Sequence, residues 1–287
     1  MKKATHPFVQ LMVLLLLAVG MLTVVSIPTV VMTLLGVDII SRPMMLLEQS
    51  VTQLLSFAVP VWLMLLIYYR GQQRDYCRFD FGGRQWLNAL AAAVIMVLLV
   101  PVIDWITVWN DGWNLGRVGE MFRHLQEQTE GILEQMVGTD TIMGLIGNLV
   151  VIALIPAVCE EIFFRAGIQN LLQRWWSHGV GPHVAIWVTA LIFSLAHGEL
   201  FAFMPRFVMG LVLGYLYVGS GSILPNMMAH FVNNAMVVVI YWLTARGVLD
   251  IDPEEPLRLD FILTACCSLA AVMAFVTTFG KKLKISC

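Results

Sequence analysis

The chain has 287 residues, of which 59% are hydrophobic and 13% are charged, and its formal net charge at pH 7 is -2. In soluble domains about a quarter of the residues are charged, so this chain is unusually poor in charge. A near-neutral chain without a basic patch gives no support for a nucleic-acid partner. The cysteines are odd in number and follow no CxxC or metal-ligand spacing, so no disulfide framework is expected.

The apolar residues occur in runs long enough to cross a bilayer, for which a helix needs about 20 residues. We predict an all-α polytopic membrane protein whose single domain covers residues 1–287 and is surrounded by the lipid bilayer. Eight transmembrane helices are predicted, near residues 8–35, 51–69, 86–109, 142–174, 183–200, 203–219, 222–245 and 260–280. The first is longer than the apolar core of a signal peptide, which favours an uncleaved anchor.

Charged residues in the predicted loops indicate the orientation. The loop 70–84 contains four arginines and the tail 281–284 contains three lysines, whereas acidic residues dominate the loops after the third and seventh helices. Because basic loops stay in the cytoplasm, we predict that both termini are cytoplasmic and that the membrane is a bacterial inner membrane. An even number of transmembrane helices places both termini on the same side of the membrane, in agreement with these charges.

The outer loop at 110–140 is predicted to contain an amphipathic helix, because its apolar residues recur at helical spacing. These residues are Met121, Phe122, Leu125, Ile132, Leu133, Met136 and Val137. The polar face is acidic, so attraction to anionic lipid does not explain the helix. Two interpretations stay open: a cap packed over the membrane domain, or a segment that controls substrate access.

The stretch CEEIFFR places Glu160, Glu161 and Arg165 within a predicted membrane helix. A charged side chain at this depth costs about 2.5–3.5 kcal/mol on insertion scales. Glu161 and Arg165 are four residues apart and share a helix face, whereas Glu160 points about 100° away. We therefore expect the arginine to neutralise Glu161 and to leave Glu160 free. A buried ion cluster that only holds helices together is the alternative.

Two other helices carry polar residues at the same predicted depth. His197 follows Phe193 by one turn in the fifth helix, and His230 and Asn234 share a face of the seventh. A desolvated glutamate such as Glu160 is suited to act as a general base on water, and a histidine and an asparagine amide can donate hydrogen bonds to an oxyanion. These groups predict a hydrolase that cleaves a peptide bond within the membrane.

The three elements E-E-x-x-x-R, F-x-x-x-H and H-x-x-x-N, in this order, resemble those of the CAAX protease and bacteriocin-processing family of intramembrane proteases. This family, also called CPBP or Abi-type, includes the Ras-converting CAAX endopeptidase. The resemblance covers residues 142–245, which we predict to be the catalytic core. It implies an endopeptidase whose partner is a membrane-associated protein or peptide, of CAAX type or in bacteriocin or leader processing.

The resemblance also implies the roles of the catalytic residues. Glu160 would activate water, His197 would help to hold that water, and His230 and Asn234 would form the oxyanion hole. A zinc-dependent protease, with Glu160, His197 and His230 as ligands, is the alternative. The metal-free mechanism without a cofactor is favoured, because no H-E-x-x-H motif is present and asparagine is a poor zinc ligand.

The remaining motif residues are expected to support the site. Glu161 and Arg165 would form a structural pair, and Phe193 would pack beside it. Two other classes of protein stay open. Buried glutamate, histidine and arginine also occur in proton-coupled transporters, although no repeated halves with broken helices are evident. An immunity or scaffold protein could keep the fold without turnover.

Overall fold

The computed structural model describes residues 5–35, 41–251 and 258–280, and within these ranges every regular element is a helix. The tail 281–284 and the acidic residues at 252–257 lie outside the described residues. The helices are α1 (Pro7–Leu34), α2 (Arg42–Tyr68), α3 (Gln73–Tyr76), α4 (Gly83–Asp111), α5 (Gly116–Val137), α6 (Ile142–Trp175), α7 (Gly181–Ala196), α8 (Phe203–Ser220), α9 (Leu224–Ala245) and α10 (Phe261–Phe279), with a short 3-10 turn at Leu200–Ala202 before α8.

Seven of the described helices are long and apolar enough to cross a membrane, namely α1, α2, α4, α6, α8 with the turn before it, α9 and α10. The eighth apolar helix, α7, has only 16 residues. This arrangement confirms the predicted all-α polytopic membrane fold. The chain is an integral membrane protein.

Two helix ends differ from the prediction by more than three residues. Helix α2 begins at Arg42 instead of near residue 51, because polar side chains of its first turns are bound inside the bundle: Arg42 donates a 2.7 Å hydrogen bond to Asn148 of α6, and Glu48 accepts one from Thr29 of α1. Helix α7 ends at Ala196 instead of near residue 200. Gly198 has a φ of +71°, the left-handed conformation that commonly ends a helix.

Stretches of π-helix interrupt α2 and α6. Leu54–Ala58 directly precedes the turn that contains Pro60, and Leu149–Leu154 precedes the turn that contains Pro156. Proline has no N–H and its ring clashes with the carbonyl four residues earlier, so the preceding turn widens. A third stretch, Ile162–Gln169, follows the two glutamates. No proline accounts for this one.

Glycines allow α7 and α8 to pack closely. A Cβ atom added at Gly210 would lie 3.1 Å from the Cα of Ala190, and one added at Gly214 would lie 2.6 Å from the Cγ2 of Ile186. The short helix α7 is therefore held against α8 by backbone-level contact. This contact fixes the position of the C-terminal end of α7, which carries His197.

Helix α5 lies within the predicted outer loop and is held at both ends. Near its N-terminus, Arg123 forms a 2.9 Å ion pair with Asp111 and lies 3.9 Å from the centre of the Phe201 ring. At its C-terminus, Arg42 donates a 2.8 Å hydrogen bond to the carbonyl of Met136. Together with α4 and α9, α5 borders a cavity of about 670 Å³. A cap and an access-controlling segment both remain predictions for this helix.

Candidate active site

Glu160 lies in the middle of α6 and is only 6% exposed. Its Oε1 atom accepts a 3.0 Å hydrogen bond from Nε2 of Gln53 on α2. Its Oε2 atom has no hydrogen-bond partner among the described residues. Buried polar atoms are nearly always paired, so an unpaired carboxylate oxygen is a candidate for contact with a reactant.

The unpaired oxygen faces two histidines. Oε2 of Glu160 is 3.8 Å from Nε2 of His230 and 4.0 Å from Nε2 of His197. Each histidine is anchored by its other ring nitrogen: Nδ1 of His197 is 2.8 Å from the carbonyl oxygen of Phe193, and Nδ1 of His230 is 3.0 Å from Oε1 of Glu161. Because a carbonyl and an ionised carboxylate only accept, both Nδ1 atoms donate. With Nδ1 occupied, the Nε2 atom of each histidine is the one that faces Oε2 of Glu160.

Glu161 is fully buried and binds three side chains. Its Oε2 atom accepts hydrogen bonds from Nε of Arg165 at 2.9 Å and from Nδ2 of Asn226 at 3.2 Å, while Oε1 binds His230. Arg165 is also fully buried, and its Nη1 and Nη2 atoms have no hydrogen-bond partner in the described part of the chain. The expected Glu161–Arg165 pair is thus present in the structure, and the same carboxylate also orients a histidine.

Phe193 and Asn234 complete the set of motif residues. The ring of Phe193 is fully buried and packs edge-on against His197 and His230, with ring centres 4.8 Å and 5.9 Å apart. Asn234 is half-buried, one turn after His230 on α9, and its side-chain oxygen accepts a 3.2 Å hydrogen bond from Asn233. Oε2 of Glu160 lies within 4.0 Å of Nε2 of both His197 and His230. Among the described residues no hydrogen bond joins Asn234 to any of these three.

Two buried residues of the site were not found from the sequence. Asn226 precedes His230 by four residues and so shares its helix face; extending that face by one turn would have revealed it. Gln53 has no comparable signal, because it lies just inside the predicted start of the second helix, among other polar residues. Its role depends on contact with a helix far away in the chain.

Glu160, His197 and His230 are the residues that would hold a zinc ion. Tetrahedral zinc with ligand distances of about 2.0–2.1 Å keeps its donor atoms roughly 3.3 Å apart, whereas Glu160 lies 3.8 Å and 4.0 Å from the two histidine nitrogens. In the described ranges, no group of three or more His, Cys, Asp or Glu side chains is placed to hold a metal ion.

Carboxylates and imidazoles gathered between the helices of a membrane protein indicate a functional site. Residues 142–236 match the protein-family model described as Type II CAAX prenyl endopeptidase Rce1-like. This match supports the CAAX protease (CPBP) family for residues 142–236 and an intramembrane protease domain in that part of the chain. All seven motif residues fall within the match, while α1, α2, α4 and α10 lie outside it. Neither the curated proteins nor the solved structures gave a match to the chain.

Proposed function

We propose that this protein is an endopeptidase that hydrolyses a peptide bond of a membrane-associated protein or peptide with a water molecule activated by Glu160. The observation that carries this proposal is the buried, unpaired Oε2 atom of Glu160, which faces Nε2 of His230 at 3.8 Å and Nε2 of His197 at 4.0 Å. These separations are too long for direct hydrogen bonds, which need about 2.7–3.2 Å. They suit a water molecule that binds the carboxylate and a histidine together.

The buried charges support this assignment. With Glu160 and Glu161 both ionised, Arg165 balances one of them, and the remaining negative charge would be costly in the bilayer interior. A proton on His230 restores neutrality, and the carboxylate of Glu161, 3.0 Å from Nδ1, stabilises the imidazolium. In this state Nε2 of His230 carries a hydrogen and can donate it to an oxyanion.

The reaction then follows from these protonation states. Glu160 takes a proton from water as the water oxygen bonds to the carbonyl carbon of the substrate, and His197 helps to hold that water. The developing oxyanion accepts hydrogen bonds from His230 and from the amide of Asn234. When the carbon–nitrogen bond breaks, Glu160 passes the proton to the leaving amine. Atoms and protons balance without a cofactor.

The substrate class is inferred from the setting of the site. Glu160, His230 and Asn234 lie within helices long enough to cross a membrane, and His197 directly follows α7, so the scissile bond must belong to a protein or peptide that enters or lies against the bilayer. The family description names a prenyl endopeptidase, and substrates of CAAX type, or leader and bacteriocin precursors, fit this class. A bacterial inner membrane and cytoplasmic termini are part of the same proposal.

The test is cleavage of membrane-peptide libraries by the purified protein in detergent. Glu160→Gln keeps the shape of the side chain but removes the base, and we expect kcat to fall about 10²–10⁴-fold. Glu48→Gln is the matched control, since it makes the same change in a half-buried membrane carboxylate outside the site. Equal cleavage by wild type and Glu160→Gln would refute the role of Glu160.

The same assay separates the alternatives. A zinc chelator is expected to leave cleavage unchanged, whereas inhibition that added zinc reverses would establish the zinc-dependent protease. Accumulation of a solute driven by a proton gradient, without any proteolysis, would identify a transporter. Binding of a peptide without turnover would favour an immunity or scaffold protein.

A further inference from the structure

We propose that Gln53 is a positioning residue for Glu160: it holds one carboxylate oxygen so that the other faces the two histidines. The inference rests on the proposed function, since it assigns Glu160 as the base. Gln53 belongs to α2, which lies outside the family match at residues 142–236. The site therefore depends on a helix that the family motifs do not include.

The contact between Gln53 and Glu160 is direct and buried. Gln53 is 8% exposed, and its Nε2 atom donates a 3.0 Å hydrogen bond to Oε1 of Glu160. Burying an amide is unfavourable unless it is hydrogen-bonded, and a bond to an ionised acceptor is among the stronger ones. The π-helical stretch Leu54–Ala58 starts at the next residue, so the helix is distorted where it meets Glu160.

The amide also determines which carboxylate oxygen stays free. The last torsion of a glutamate side chain is broad, so an unanchored carboxylate could turn either oxygen toward His197 and His230. Only the NH2 group of Gln53 can donate to Oε1, because an amide oxygen in its place would repel the carboxylate. Oε2 is left for the water. A reaction slows considerably when its catalytic groups are no longer held in the productive orientation.

Gln49 provides a matched control on the same helix. It precedes Gln53 by four residues, which places it on the same face of α2, and it is half-buried. Among the described residues no hydrogen bond joins it to Glu160. Gln49→Met and Gln53→Met therefore make the same nearly isosteric change, and only the second removes a donor to Glu160.

The experiment compares these variants with the wild type in one detergent. For Gln53→Met we expect kcat to fall roughly ten- to hundredfold while KM stays within about twofold; Gln49→Met should match the wild type in both. Gln53→Asn keeps the amide but is one methylene shorter, so its kcat should be intermediate. Thermal unfolding midpoints identify any variant that does not fold.

Infrared spectroscopy tests the contact without relying on turnover. The carboxylate band of Glu160 is isolated as the difference between wild type and Glu160→Gln, and it should move in Gln53→Met but not in Gln49→Met. An unmoved band, or a folded Gln53→Met protein with the kcat of Gln49→Met, would overturn the inference. If Glu160→Gln cleaves peptides as well as wild type, the proposed function fails instead, and the band still decides whether Gln53 binds Glu160.

Discussion

Glu160 and Glu161 are adjacent in the chain and bind different partners, because consecutive side chains of a helix point about 100° apart. Glu161 is bound to Arg165, Asn226 and His230, so all of its contacts are internal. Glu160 keeps one oxygen unpaired. The pair therefore combines one carboxylate that orients its neighbours with one that keeps an unpaired oxygen.

Glu161→Gln tests whether this carboxylate does more than balance Arg165. If Glu161 stabilises a proton on His230, the amide should lower kcat by roughly 10²–10³-fold, the loss typical of an oxyanion donor. The measurement is kcat for peptide cleavage. Because the variant also leaves Arg165 buried without its partner, it should lose about 3–5 kcal/mol of stability.

A double variant separates the two effects. Glu161→Gln with Arg165→Met removes both charges, so the thermal unfolding midpoint should recover toward the wild-type value while kcat stays low. Recovery of kcat together with stability would show that the pair only supports packing, which is the alternative that the sequence left open.

At the scale of elements, the position of His197 depends on how α7 packs. Helix α7 has 16 residues and ends at the residue before His197, so its placement along α8 sets the height of the imidazole. Gly210 and Gly214 bring α8 against Ala190 and Ile186 of α7. Small residues allow such backbone approach between membrane helices.

Gly214→Val should disturb this packing. The added side chain would overlap Ile186, since even a Cβ atom lies 2.6 Å from its Cγ2, and overpacking of this kind costs about 1–3 kcal/mol. We expect a lower thermal unfolding midpoint in detergent. Gly20→Val on α1 is the control, because a Cβ atom there has no neighbour within 4 Å. Equal midpoints for the two variants would contradict close packing at Gly214.

At the scale of the whole molecule, the distribution of charge predicts the orientation in the membrane. The loop between α2 and α4 is rich in arginine, and α5 with its flanking residues is largely acidic. The positive-inside rule assigns the first to the cytoplasm and the second to the outer side. The tail at 281–284, which contributed to this argument, lies outside the described residues.

Single cysteines can test this orientation with a membrane-impermeant maleimide. Gln72→Cys, in the exposed loop before α3, should react only after cells are permeabilised, whereas Gln128→Cys on α5 should react in intact cells. The native Cys77 should contribute little signal, because burial raises its pKa to about 12. Its reactive thiolate is therefore scarce near neutral pH and increases only as the pH rises toward that value. The reverse labelling pattern would show that the protein has the opposite orientation in the membrane.

Much of this organisation was predictable from local rules. A long apolar run crosses a bilayer as a helix, because its backbone groups must then bond to each other. Helical periodicity alone placed Glu160 and Glu161 on different faces and paired Glu161 with Arg165. The ordered motifs then indicated the protease family that the match over 142–236 bears out. The first conclusion needs only spacing along the chain, and the second also needs the resemblance of the three motifs to those of the family.

The contacts between helices were decided by the tertiary structure. Gln53 and Glu160 are 107 positions apart, and Glu161 meets His230 across 69 positions. Such meetings depend on the crossing angles, relative heights and π-helical distortions of α2, α6 and α9, and helical periodicity within a single segment contains none of these. The sequence by itself determined which side chains share a helix face. Only packing decided that Glu161 anchors His230 and that Gln53 binds Glu160.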